Sequence, residues 1–341
     1  MGHSTAVIGG GSFGTAIANI LADNGHRVRL CLRDAAAVAE IRSTGVNSRY
    51  LPGFHLNPAL EPTTDMPAAI ADSRLVFVAV PSRAFRDVLR DMKPHLQPGT
   101  VLVSCTKGIW PDGFLLMSQL MAQETGSELI GVLSGPNLAK EIAGRMLTGS
   151  LIASTRSEVR ELVQQTLSCS YFRVYANQDI FGVELAGALK NIYAITTGMA
   201  DALGMGQNTK AMLITRSLAE MSRFAERMGG NPLTFLGLAG VGDLVVTCSS
   251  PLSRNYQMGF RIGQGASVEE AAKAIGQTAE GVNTLKLVKH KADELGVYMP
   301  LVTGLYDILF ENQPLPTIIK RLMSGDQNSD FEFTSGLPAG H

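Results

Sequence analysis

In the stretch ELAGALKNIYAI, Glu184 to Ile195, Lys190 stands in the middle of an apolar run with helical spacing. An ammonium is costly to bury, so one of two readings applies. Either the charged end reaches water along its methylene stem, or something reactive is held against this helix. Ala186, Gly187 and Ala194 lie one turn away and are small, which leaves the flank of the lysine open to a ligand. Asn191 beside it is also polar. Burial disfavours the charged form of a lysine, which suits general acid–base work near neutral pH. A second cation such as Lys107 would push the same way, and Asp243 could orient the ammonium.

The stretch GVGDLVVTCSSPLSRNYQMG places Asp243 among glycines, where we expect an exposed, shaped loop. It then reads as a helix start with Ser253 as N-cap. Arg254 and Asn255 fall in the first turn, where a cation opposes the helix dipole. A bound anion removes that objection, and phosphate is the natural one. The plain alternative is an ion pair with an acid elsewhere. Glu280, in TAEGVNT, sits at another helix start, where it either touches a cofactor or only caps.

VIGGGSFGTAIA contains G-x-G-x-x-G as Gly9, Gly11 and Gly14, with Ser12 and Phe13 at the mouth of the loop. The glycines follow the first strand and open the first helix, the context that gives this motif meaning. Gly9 permits a tight turn, Gly11 lets backbone N–H groups approach a pyrophosphate, and Gly14 lets helix and strand pack closely. The alternative is a tight turn without a ligand. The second strand ends in Arg33-Asp34. A carboxylate there suits the ribose of NAD and an arginine suits the 2′-phosphate of NADP. We favour NADP, with NAD also accepted; the alternative is a solvated surface arginine.

These residues need elements to hold them. TAVIGG, RVRLCLR, RLVFVAV, TVLVSCT and ELIGVLSG are continuous apolar runs, each followed by a helix-like segment. Apolar residues on both faces mean a strand covered on both sides, hence a parallel sheet. The alternation predicts a doubly wound, Rossmann-type α/β domain. SLIAST and YFRVYA read as its last strands. Lys107 in CTKGIW and Gly135, Asn137 and Ala139 in LSGPNLAKE follow strands, at the carboxyl edge where ligands bind in such folds. From about Asp179 the apolar spacing is three-to-four throughout. We therefore expect residues 1–180 to bind a dinucleotide, residues 181–330 to form an all-α substrate and catalytic domain, and residues 331–341 to be a polar tail.

Lys plus Arg is 29 and Asp plus Glu is 30, so net charge gives no pull toward nucleic acid or an anionic membrane. Cys31, Cys105, Cys169 and Cys248 are far apart, and we read them as reduced thiols of a reducing compartment. The six histidines lack ligand spacing, so no metal is expected. The longest apolar runs are strand-sized and no targeting segment is visible, so the expectation is a cytoplasmic protein without membrane insertion.

GGGSFGTAIA, CTKGI, SGPNLAKE, ELAGALKNIYAI, GVGDLVVTCSSPLSRNY and AEGVNT, in this order, resemble the bacterial NAD(P)-dependent sn-glycerol-3-phosphate dehydrogenases. The resemblance runs from the first strand to about residue 330. It implies reversible reduction of dihydroxyacetone phosphate to sn-glycerol 3-phosphate, the entry to phospholipid synthesis, in a homodimer formed through the helical domain. It implies Lys190 as proton donor and acceptor. It implies substrate contacts from Lys107, Gly135, Asn137, Lys190, Asp243, Ser253, Arg254 and Asn255. Nucleotide contacts are implied from Ser12, Phe13, Arg33, Lys107, Ala139, Arg254, Thr278 and Glu280. Phe13 stands where relatives often have Trp or Tyr, and Asn137 where they often have Thr or Ser. Two rivals keep part of the pattern. A 3-hydroxy acid dehydrogenase shares the fingerprint and a helix lysine without needing Arg254 and Asn255. A non-catalytic NADP-binding sensor needs the glycines but not Lys190 or Asp243.

Overall fold

The computed structural model describes residues 2–276 and 280–324. Thr278 and the polar tail at 331–341 therefore lie outside the described residues. Two compact units divide the chain. The first holds the described residues up to Ala188 together with Leu233–Val246. The second holds Leu189–Pro232 and the described residues from Thr247 on.

The first unit is built on an eight-stranded sheet. Its strands are β1 (Ser4–Ile8), β2 (Arg27–Cys31), β3 (Leu60–Thr63), β4 (Leu75–Val78) and β5 (Val101–Ser104). A small antiparallel hairpin, β6 (Ile109–Trp110) with β7 (Leu115–Leu116), precedes β8 (Ile130–Ser134), β9 (Thr148–Ala153) and β10 (Phe172–Asn177). The sheet order is β10-β9-β8-β5-β4-β1-β2-β3. Successive residues of one strand enter different cores. Val7 and Phe77 join the core with Ile17 and Leu21 of the helix Ser12–Asp23. Ala6, Ile8, Val76 and Val78 join the core with Phe85 and Leu89 of the helix Ser82–Met92. Apolar residues at both parities thus reflect helices on both faces, and each fully buried Val or Phe is worth about 1.5–3 kcal/mol.

One expectation needs correction. The sheet is not parallel throughout: β9 pairs antiparallel to β8, and β10 then pairs parallel to β9. Strand direction leaves no mark on a run that is apolar on both faces, and an antiparallel edge on a parallel sheet is common. After β1 the chain builds β2 and β3 on one side and then crosses to β4 on the other. That reversal creates the crevice at the carboxyl ends of β1 and β4.

The second unit contains no strand among its described residues. The chain enters it within the helix Ile180–Ala202, whose residues from Val183 to Ile195 are buried on all sides. Such a helix is apolar all round because it is a core element. Asp179 starts it by accepting from the Gly182 N–H at 2.8 Å. The helix Arg254–Gly263 crosses it at close range, since a Cβ on Gly259 would meet the backbone of Ile195 and one on Gly198 that of Tyr256. The start of the helix Pro300–Phe310 is held by Glu220, which accepts from the N–H groups of Leu301 (2.6 Å) and Val302 (3.3 Å). No helix among the described residues is long and apolar enough to cross a membrane.

Candidate active site

The glycine turn sits at the crevice. Gly9 directly follows β1, has φ +116°, and donates from its N–H to the Cys31 carbonyl at 3.0 Å. A Cβ there would meet the carbonyl of Ala79, the residue after β4, and a Cβ on Gly14 would meet the Gly9 carbonyl. Both positions therefore require glycine for close approach. Gly11 is different: a Cβ on it would meet nothing within 4 Å, and it is the N-cap of the helix Ser12–Asp23 without a side-chain cap. With no side-chain cap and open space at Gly11, the start of that 12-residue helix suits an anion such as a pyrophosphate. Ser12 donates its hydroxyl to the Tyr50 carbonyl at 2.8 Å. Phe13 packs against the core.

At the end of β2, Asp34 caps the helix Ala35–Thr44, accepting from the Ala36 N–H at 2.9 Å, while Arg33 is exposed. Both side chains are exposed at the carboxyl end of β2, so a carboxylate and a guanidinium stand side by side there.

A first polar cluster lies in the first unit. Lys107, three residues past β5, pairs through Nζ with Asp243 Oδ2 at 2.5 Å and reaches the Gly135 carbonyl at 3.3 Å. The Asp243 side chain is only 1% exposed against 25% for Lys107. This corrects the expected exposed loop: Asp243 begins the helix Asp243–Ser249 and is buried. The glycines before it misled, because they form a short π-helical turn, Leu238–Gly242, that leads straight into the helix. Gly135 has φ +119°. Asn137 donates to the Ser150 hydroxyl at 3.1 Å, and Ser150 donates to the Ser134 carbonyl at 3.0 Å. Asn137 Oδ1 and Ser134 Oγ are buried and have no partner among the described residues. Two orphaned polar atoms around Gly135 are what a site for a polar ligand looks like before the ligand is counted. Ala139 opens the short helix Ala139–Ala143.

A second cluster lies in the second unit. Lys190 is 5% exposed and donates from Nζ to Thr247 Oγ1 at 2.6 Å. Its ammonium is therefore anchored to a partner inside the protein. Asn255 donates to Asn191 Oδ1 (2.9 Å) and accepts from the Gly281 N–H (3.0 Å), knitting three helices together. Ser253 caps its helix as expected, accepting from the Tyr256 N–H at 3.3 Å. Arg254 is exposed in the first turn, and Glu280 opens the helix Glu280–Leu295.

Sequence reasoning passed over Thr247, although it lies four residues after Asp243, one turn along the same helix. It also passed over Ser134 and Ser150, for which no spacing signal exists. Among the described residues, no three His, Cys, Asp or Glu side chains are grouped to hold a metal.

Comparison with known proteins matches residues 4–160 to the N-terminal and residues 179–320 to the C-terminal model of NAD-dependent glycerol-3-phosphate dehydrogenase. The chain is 55% identical over 334 residues to the glycerol-3-phosphate dehydrogenase [NAD(P)+] of Alcanivorax borkumensis, covering 98% of this chain and 97% of that one. It is 58% identical over 332 residues to that of Pseudomonas fluorescens Pf-5, covering 97% and 96%. A crystal structure of glycerol-3-phosphate dehydrogenase from Coxiella burnetii superposes with a TM-score of 0.90 at 38% identity, covering 95% of this chain and 99% of that one.

Proposed function

We propose, on the premise that this chain belongs to the NAD-dependent glycerol-3-phosphate dehydrogenase family, that it reduces dihydroxyacetone phosphate to sn-glycerol 3-phosphate with NADPH or NADH, and catalyses the reverse oxidation. The observation that carries the catalytic part of this reading is a lysine that is 5% exposed and hydrogen-bonded to a hydroxyl inside the protein.

The nicotinamide cofactor supplies the hydride when bound. The chain's residues do the rest. The turn of Gly9, Gly11, Ser12, Phe13 and Gly14 holds the pyrophosphate through backbone N–H groups, and Arg33 takes the 2′-phosphate. Lys107, Ala139, Arg254, Glu280 and Thr278, the last outside the described residues, add nucleotide contacts. Lys107, Gly135, Asn137, Asp243, Ser253, Arg254 and Asn255 hold the substrate. Its phosphate goes to the start of the Arg254–Gly263 helix, where first-turn N–H groups and a guanidinium favour an anion. That remote grip orients the carbonyl carbon for reaction. Lys190 gives a proton to the carbonyl oxygen as the ketone becomes an alcohol, and solvent restores the proton afterwards. In the reverse direction Lys190 takes the proton back.

The resemblance further supports a role in supplying the phospholipid backbone, a homodimer formed through the helical half, and a cytoplasmic setting. The four cysteines, none of them in a disulfide, agree with such a setting.

The test is consumption of NADPH, then NADH, by purified protein given dihydroxyacetone phosphate, beside Lys190→Ala. The variant is expected to bind NADPH normally and to turn over about 10²–10⁴-fold more slowly. Full activity in the variant would remove Lys190 from the chemistry. A wild type that binds cofactor but ignores the substrate would overturn the substrate assignment.

A further inference from the structure

The segment between the helix Ala35–Thr44 and β3 belongs to no motif, yet it supports the glycine turn. Asn47 within it is fully buried. Its Nδ2 donates to the Gly10 carbonyl at 3.0 Å and to Thr15 Oγ1 at 2.9 Å. Gly10 lies inside the fingerprint and Thr15 lies in the first helical turn after it. Three residues on, the Tyr50 carbonyl accepts from Ser12 Oγ. One loop therefore grips the turn at three points.

The loop is itself anchored. Val46 bridges His55, the Asn47 carbonyl accepts from the N–H groups of Tyr50 (3.1 Å) and Leu51 (2.8 Å), and Leu51 is fully buried in the core that contains Ile17. The amide can take only one orientation. Turned over, its oxygen would face the Gly10 carbonyl, acceptor against acceptor. As it stands, both Nδ2 hydrogens are used, and Oδ1 is buried without a partner among the described residues.

We infer that Asn47 is a positioning residue for nucleotide binding: it fixes the Gly10–Gly11 peptide so that the Gly11 N–H points at the pyrophosphate. The argument is one of peptide geometry. In a trans peptide the C=O and the following N–H point in opposite directions, and no peptide bond among the described residues is cis. Holding the Gly10 carbonyl on Asn47 aims the Gly11 N–H to the side away from Asn47. Gly11 is the residue on which a Cβ would meet nothing within 4 Å. Without the Asn47 donor, the Gly10 carbonyl must find another partner, and a peptide flanked by glycines turns at little steric cost. This inference rests on the nucleotide-binding reading above.

The experiment titrates NADPH by fluorescence into wild type, Asn47→Ala and Asn47→Leu, and then measures kcat at saturating NADPH. The leucine keeps the size and branching of the side chain and loses the donor without adding charge, so it serves if the alanine variant does not fold. The expected result is a Kd for NADPH raised at least about 10-fold with kcat near wild type, the scale of a lost hydrogen bond to a charged group. An unchanged Kd overturns the inference, whether kcat is retained or lowered, because a merely structural residue reduces the active fraction without moving Kd. A wild type that fails to bind NADPH refutes the nucleotide reading itself and the inference with it.

Discussion

Replacing Thr247 with valine keeps the outline of the side chain and removes the oxygen that Lys190 contacts at 2.6 Å. A threonine hydroxyl suits a proton-transferring lysine for a specific reason. It accepts from an ammonium and, by rotating, donates to a neutral amine, so it can steady Nζ in both states of the cycle. Lys190 is 5% exposed, so water is poorly placed to take over. Hydrogen bonds to charged groups contribute about 1.5–3 kcal/mol, which corresponds to roughly 10- to 150-fold in rate if the loss is felt in the transition state. Thr247→Val is therefore expected to lower kcat by that factor and leave the Kd of NADPH unchanged. Thr247→Ser should restore most of the loss, because it returns the hydroxyl without the methyl group. The assay is steady-state NADPH consumption against dihydroxyacetone phosphate concentration. A valine variant with wild-type kcat would refute the idea that this contact positions the proton donor. A serine variant as slow as the valine one would show that packing, not the hydroxyl, matters.

Two further outcomes follow from buried carboxylates. Asp243→Asn keeps the shape but removes the charge that meets Lys107; since Lys107 is 25% exposed, the effect is discounted to a rise in KM for dihydroxyacetone phosphate of roughly 10- to 30-fold, read from the same kinetics. Burial pushes the carboxyls of Glu184 and Glu220 up from 4.5 to about 7, against the hydrogen bonds they accept from Ser118 and from Leu301, Val302 and Tyr193. A raised folded-state value means the folded protein holds protons that the unfolded chain has released. Stability from each group is thus full below about pH 4.5 and is lost as pH rises through about 7, on the order of 3 kcal/mol apiece. Urea unfolding at about pH 5 and about pH 8 measures it. Glu184→Gln and Glu220→Gln should each flatten that slope, and an unchanged slope in both would contradict the assignment.

The parts of this protein legible in its sequence are those where residue type alone carries the signal. Gly9 and Gly14 are readable because only glycine tolerates a carbonyl where a Cβ would be. Ser253 is readable because an N-cap is a local bond, made to Tyr256 three residues on. The strands are readable because covering both faces leaves apolar residues at both parities. The direction of β9 is not, since that apolar run would suit either direction. Asp243 shows the limit most clearly. Its glycine neighbours suggest exposure, and only the fold reveals that they form a π-helical turn and deliver a buried carboxylate to Lys107, 136 residues away in the chain.

Buried amides are the hardest class to anticipate, for a physical reason. Asn47, Asn137 and Asn255 lie near turns or helix ends and Asn191 in the middle of a helix, and nothing in the sequence around any of them names its partner. What each does depends on which acceptors lie within about 3 Å of its nitrogen, and those come from distant segments: Gly10 and Thr15 for Asn47, Ser150 for Asn137, Asn191 for Asn255. A buried amide left unpaired costs on the order of 1–3 kcal/mol, so the fold must supply partners. Where it leaves one atom over, as at Asn137 Oδ1, the surplus marks a place for a ligand or the cost of an orientation fixed elsewhere. Asn47 Oδ1 is the second kind, because its nitrogen is committed to the glycine turn. Asn137 Oδ1 lies near a positive-φ glycine, an orphaned serine and a lysine, the surroundings on which its proposed substrate contact rests. The same orphaned atom type thus stands in two different settings, and only the identity of its neighbours tells them apart.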